Sequence, residues 1–315
     1  MLRIYLFSAT KTLKWMALLV PLWFFQTVGY AAVPPSASSP PPSGQVVVVG
    51  SAVLSDLVSR WAEGFGRVYP GIPVTVADTG SAAGIEALLN GSADVVLTSI
   101  PLSQRQKAQF TSHFGYAPTA VPVAMDGVAV YVSSLNPLRE ITLVQLDGIY
   151  STTLRCGIRQ PIGDWGELGV KGDLSDRPIT SLGLTANSGA YQLFKRVALC
   201  DGDFRANFQA LVGPEAVAAG LANNVAAIGF SSSALRSPDI RALAIARREG
   251  APAITPTVQS IQTRQYPLAQ VLSIILNITP DGNASPAVQA FLDYTRSAAG
   301  QAEAAKAGYV PLPVN

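Results

Sequence analysis

Residues 77–103 read ADTGSAAGIEALLNGSADVVLTSIPLS. An apolar run closing at Ala77 meets the short residues Thr79, Gly80 and Ser81. Ile85, Leu88 and Leu89 then recur at helical spacing, and a second apolar run ends at Leu97. Periodicity and punctuation predict a strand over 73–77, a helix over 83–89 and a strand over 94–97. The same alternation extends both ways: a strand over 45–49 and a helix over 56–65 upstream, then a strand over 128–132, a helix over 142–149, a strand over 179–184, a helix over 189–199 and a strand over 226–230. Strand and helix in alternation imply the α/β class, with a mostly parallel sheet covered by helices on both faces. Nothing recurs at a short fixed period, which excludes a solenoid. The chain has 315 residues, near the size at which one core stops growing, so two lobes are expected.

One turn type recurs where strands run directly into helices: Gly50-Ser51-Ala52, Gly80-Ser81-Ala82-Ala83-Gly84 and Asn187-Ser188-Gly189-Ala190. Each leaves unpaired backbone N–H groups at the positive end of a helix dipole, a ready site for an anion. Hydroxyls such as those of Ser81 and Ser188 add donors. The competing reading of any one turn is ordinary N-capping by Ser or Asn. Three such turns at the carboxyl ends of strands in two lobes point to a shared ligand crevice.

Composition narrows the chemistry. The only histidine is His113 and the only cysteines are Cys156 and Cys200, too few for a four-ligand Cys/His zinc cage, though calcium and magnesium stay open. With 22 Lys plus Arg against 20 Asp plus Glu, there is no electrostatic footprint for nucleic acid. Arg3, Lys11 and Lys14 precede the apolar run 15–25, and Gly29, Tyr30 and Ala31 follow as a cleavage-like site. Residues 1–31 therefore read as a secretory signal peptide, with an uncleaved membrane-tethering anchor as the alternative. Loss of 1–31 removes three cations and no acid, turning the formal +2 into −1. Residues 32–44 read as a Pro/Ser-rich linker, uncharged and without periodicity, that cannot bury enough apolar surface to order itself. In a periplasmic or secreted chain, Cys156 and Cys200 are expected to form a disulfide rather than two buried thiols. Closing that loop stabilises by roughly 3 to 4 kcal/mol on the chain-entropy view.

Several stretches match, in order, those of a known family. VVVVGSAVL (46–54), ADTGSAAGIEALLNGSADVVLTSIPLS (77–103), VPVAMDGVAVYVSSLNPLREITLVQLDGIYS (121–151), GDWGEL (163–168), LTANSGAYQLF (184–194), AAIGF (226–230), YPLAQVLSIILN (266–277) and AGYVPLP (307–313) are the matching segments. Together they resemble the phosphate-type (PstS-like) periplasmic solute-binding proteins of bacterial ABC transporters. That resemblance implies a two-lobed type 2 periplasmic-binding-protein fold crossed twice by the chain. Lobe one would be 45–124 plus 266–315, and lobe two 125–265. The ligand, phosphate or a related small oxyanion, would lie between them. The ligand-binding residues it implies are Ala52, Val53 and Leu54 in the first loop, Ser81 in the second, Thr98 and Ser99 in the third, and Asn187, Ser188, Gly189 and Ala190 in the fourth. No cofactor is implied; the expected partner is an ABC permease, and the protein is expected to be a monomer.

The match breaks where the family is charged. Its accepting aspartate falls on Ser99 and its arginine on Leu184, while its threonines fall on Val53 and Ala190. A hydrogen bond to a charged group is worth about 1.5 to 3 kcal/mol, so such a degenerate site should bind more weakly and discriminate protonated from ionised oxyanions less. Arg105, just past the third loop, is one possible replacement for the arginine. An envelope interaction or signalling protein that keeps the fold without transport is the second reading. A phosphatase-type hydrolase ranks last: no GxSxG elbow occurs, and His113 lies in the polar stretch QRQKAQFTSHFG, where a solvated surface position is expected. Asp201 and Asp203 read as turn formers, Trp165 as a packing anchor, Tyr266-Pro267 as a hinge restraint, and Arg241, Arg247 and Arg248 as a solvated face.

Overall fold

The structure is a computed structural model. It describes residues 42–313 except 51–53, 79, 80, 91, 94, 100 and 283, and omits the side chains of residues 78, 81 and 82. The expected signal peptide, most of the linker, Ala52, Val53 and the Ser81 side chain lie outside the described residues.

The first βαβ units form as their periodicity dictates. Strand β1 (Val46–Gly50) leads into α1 (Ser55–Val68), then β2 (Val74–Asp78), α2 (Ser81–Leu89) and β3 (Val95–Thr98). On α1, Leu57, Val58, Trp61 and Phe65 fall on one buried face, the spacing of an amphipathic helix. Strand β1 alternates in turn: Val46 and Val48 enter the core under α1, while Val49 joins Val96 and Ile85 on the opposite face. Helix α3 (Gln104–Phe114) starts at a capping box formed by Ser103 and Gln106, and His113 is exposed in its last turn.

Strand β4 (Thr119–Ser133) is 15 residues long, where only 128–132 had been expected; its first half lies in the stretch read as the passage between lobes. After it come β5 (Glu140–Thr142), α4 (Leu143–Tyr150), β6 (Thr180–Leu184), α5 (Gly189–Ala198), β7 (Gln209–Leu211), α6 (Pro214–Ala222), β8 (Ala227–Ser232), β9 (Ile240–Ala242), β10 (Ala244–Ala246) and α7 (Val258–Gln262). Strand β11 (Ala269–Leu276) and helices α8 (Pro286–Arg296) and α9 (Ala298–Lys306) complete the chain.

The main sheet runs β2-β1-β3-β11-β4-β8-β6-β7, with β9 also on β4. Strands β2, β1 and β3 are parallel, as are β8, β6 and β7. The antiparallel strands β11 and β4 join these halves. Strand β4 changes partner within one residue: Gly127 pairs with Ala269 of β11, and Val128 with Ser232 of β8. At that point a Cβ on Gly127 would sit 2.6 Å from the end of the Ile261 side chain of α7, so any side chain there would have to push Ile261 aside. Tyr266 is buried beside the switch and donates its hydroxyl to the Val128 carbonyl at 3.0 Å, which makes it a restraint on this joint. The fold is thus the two-lobed α/β architecture expected, its lobes threaded by shared strands.

The remaining structural expectations resolve locally. Trp165 is fully buried and donates its indole N–H to the Ala226 carbonyl at 3.1 Å, a packing anchor. Cys156 and Cys200 form a disulfide with Cα atoms 5.4 Å apart, tying the loop after α4 to the C-terminal end of α5. Asp201 takes a left-handed backbone at φ 59°, and Asp203 pairs with Lys195 at 2.9 Å, so both belong to the turn that ends α5. Arg247 and Arg248 are exposed. Arg241 is a correction: instead of facing solvent, its guanidinium donates to the carbonyls of Leu138 and Asn136, since the loop after β4 leaves those acceptors without strand partners.

Candidate functional site

Two helix starts meet in one cavity. The N-terminal residues Ser55 and Asp56 of α1 and the fourth loop, Asn187 to Ala190, line a space of about 330 Å³. Leu54 precedes α1 with its side chain 1% exposed in the core, so only its backbone is offered to a ligand. Ser188 caps α5: its hydroxyl accepts from the Tyr191 N–H at 3.1 Å and donates to the Thr185 carbonyl at 2.8 Å. The hydroxyl proton expected for a ligand is therefore already engaged. The backbone N–H groups of Gly189 and Ala190 carry no hydrogen bond among the described residues, and these are the donors that α5 presents with its dipole.

The opposite wall of this cavity holds a carboxylate that sequence reading did not single out. Asp126 sits on β4 at 7% exposure and lines the space with Ser232, Gly308 and Tyr309. The C-terminal segment is held there by the reciprocal bonds between Met125 and Val310, each 2.8 Å. Asp126 Oδ2 accepts from Gln270 Nε2 at 2.9 Å, and the Gln270 carbonyl oxygen in turn accepts from the Arg196 guanidinium. The three side chains belong to β4, β11 and α5, so the chain of contacts spans both halves of the sheet. Burial pushes the Asp126 carboxyl above its ordinary range, partly offset by the Gln270 bond, the Gly127 backbone and the Arg196 charge. Burial pushes the Arg196 guanidinium down, against the pull of Asp201 and Asp126.

Thr98 and Ser99, expected beside the fourth loop, line a different space. It measures about 500 Å³ and is bounded by Gln270 and Arg196 as well. The Asp126–Gln270 pair is the partition between the two cavities, with Gln270 on one side and Asp126 on the other. Arg105 is exposed and lines neither. Leu184, at the position matched to the family's arginine, is buried at 7% and lines the smaller cavity. Among the described residues no group of His, Cys, Asp and Glu side chains could hold a metal ion.

The model of the PBP superfamily domain matches residues 35–299. Over 282 residues the chain is 34% identical to the phosphate-binding protein PstS of Pseudomonas aeruginosa, covering 90% of this chain and 87% of that one. The chain belongs to the PBP superfamily, in its PstS branch. Protein SphX of Synechococcus elongatus is 25% identical over 272 residues, with 85% and 77% covered. Two solved structures share the fold: a possible phosphate binding protein from Planctomyces limnophilus (TM-score 0.72, 23% identity, 86% of this chain and 94% of that one) and an ABC-type phosphate transport receptor from Vibrio cholerae (TM-score 0.70, 23% identity, 86% and 100%). The Pseudomonas aeruginosa relative is named for binding phosphate, which sets the PstS-type chain apart from the hydrolase reading.

Asp126 and Arg196 were missed for different reasons. Asp126 lies inside the apolar run VPVAMDGVAVYV, and a lone acid in a run otherwise fit for burial is a signal in itself, because a buried charge demands a partner. Arg196 reads as a last-turn cation of α5, a position that dipole arguments already explain.

Proposed function

We propose that this PstS-type chain is the phosphate-binding component of an ABC importer, exported across the inner membrane and handing its ligand to a permease. Residues 45–124 plus 266–315 form lobe one and 125–265 lobe two, and they close on the ligand about β4 and β11. The single observation that carries the reading is the convergence, around one partition, of the α5 N-terminus, the Asp126 carboxylate and the Arg196 guanidinium.

The site loses its charged pair at Ser99 and Leu184 and regains one at Asp126 and Arg196. Backbone N–H groups at Gly189 and Ala190 would receive phosphate oxygens on the Asp126 side of the partition, as would those of Ala52, Val53 and Leu54 and the hydroxyl of Ser81; the hydroxyls of Thr98 and Ser99 would receive them from the Arg196 side. Arg196 offsets the anion's charge, using donors beyond the one given to Gln270. Asp126 accepts the proton of hydrogen phosphate. A carboxylate facing a fully ionised oxyanion is repelled, so the site favours phosphate over sulfate. Calorimetric titration tests this: phosphate is expected to bind and to outcompete sulfate. Sulfate binding as tightly as phosphate, or phosphate failing to bind, would refute it.

A further inference from the structure

The larger cavity holds more than inorganic phosphate needs. Its approximate 500 Å³ lies in the range of sites for organic molecules, whereas a bare oxyanion fills only a small part of such a volume. Its wall is apolar, built from Leu102, Ala120, Val271 and Ile275. Its other boundary is cationic: Arg196, Lys107 and Arg264 line it, and no Asp or Glu does. Neither Lys107 nor Arg264 enters a salt bridge among the described residues. Arg264 reaches the cavity from a left-handed backbone, φ 57°, a conformation that costs energy for a side chain of this kind. At the inner end stand Thr98, Ser99 and Gln270, so the space opens on the charged partition.

We infer that the ligand class of this site extends to organic phosphate monoesters, with the phosphoryl head at Arg196, Thr98 and Ser99 and an apolar substituent against Ala120, Val271 and Ile275. This rests on the phosphate reading above and adds the identity of the fourth substituent on phosphorus. An apolar body leaves water for the wall, while the unpaired cations Lys107 and Arg264 keep the cavity attractive to an anion as a whole. Near its second ionisation the ester's head carries between one and two negative charges for Arg196 to meet.

Phenyl phosphate and inorganic phosphate are the probes, titrated by calorimetry near that ionisation. The full chain is expected to bind phenyl phosphate at least as tightly as inorganic phosphate. Ala120 is exposed on β4, so Ala120→Trp fills the cavity without touching the core. It should weaken phenyl phosphate about tenfold or more, the worth of burying a ring, and leave inorganic phosphate within about twofold. Lys107→Gln, on the exposed face of α3, should weaken the ester more than the inorganic ion and serves as a second variant that cannot fail by misfolding of the core. Inorganic phosphate binding with phenyl phosphate excluded, or both ligands indifferent to Ala120→Trp, overturns the ester proposal and leaves the phosphate reading standing. Neither ligand binding overturns both.

Discussion

In the proposed site Asp126 would set stability against ligand capture, and one substitution separates the two. Its folded pKa lies above its unfolded value because burial outweighs the Gln270, Gly127 and Arg196 contributions. A group shifted in this direction supports the fold fully below its unfolded pKa and withdraws that support as pH rises through its folded pKa. Asp126→Asn keeps an oxygen for Gln270 and removes the buried charge. Its melting temperature at neutral pH should therefore exceed that of the native chain, with the two converging as pH falls below the ordinary carboxylate range; melts across pH measure this. Phosphate affinity should move the opposite way, dropping about tenfold or more, since a charge-assisted hydrogen bond is worth roughly 1.5 to 3 kcal/mol. A variant that is both less stable and equally tight would show that the carboxylate is merely structural.

Helix α5 concentrates the site's parts along one element: free N–H groups at its start, Arg196 at its last turn, and the Cys200 anchor just beyond its end. Its first residue offers a clean test. Proline is tolerated at the first helical position, where its missing N–H has no helical partner, and the preceding residue must be extended. Ser188 already sits at φ −91°, ψ 145°. Gly189→Pro should leave the melting temperature nearly unchanged while phosphate affinity falls about tenfold, the loss of one donor to an anion; paired melts and titrations report both. Most of α5 is legible in the sequence, because Ala190, Leu193, Phe194 and Ala198 recur at helical spacing on one buried face and Ser188 marks the start. The expected helix over 189–199 ends one residue from the observed Ala198. The parallel strands are equally legible, being continuous apolar runs between turns. The joint is not: Pro122 and the Asp126-Gly127 dipeptide read locally as breaks, yet β4 runs through both, because its pairing with β11 depends on residues about 150 positions later, a non-local choice that local periodicity does not encode. Nor does any motif bring together Asp126, Gln270 and Arg196, whose contact arises only when three distant elements pack.

At the scale of the molecule, β4 and β11 join the two halves of the sheet, and the disulfide braces the second half between α4 and α5. Cys156→Ser with Cys200→Ser frees a 44-residue loop and should lower stability by roughly 3 to 4 kcal/mol on the chain-entropy view; denaturant melts of the pair against the native chain measure it, and a change within error would mean that Asp147 holds the loop unaided through its 2.9 Å bond to the Cys156 N–H. The insertion of β11 between β3 and β4 carries a consequence for the birth of the chain. The strand at the centre of the sheet is the last to leave the ribosome. Until residues 269–276 emerge, β3 and the first half of β4 have no partner on their facing edges, and the reciprocal bonds of Val310 to Met125 come later still. The half-sheet β2-β1-β3 therefore cannot finish folding ahead of translation, and contacts of such long sequence separation form slowly. A nascent chain wired in this order can pair β4 with β8 and β9 early, yet keeps the β2-β1-β3 half of its sheet open on one edge until nearly all of it has been made.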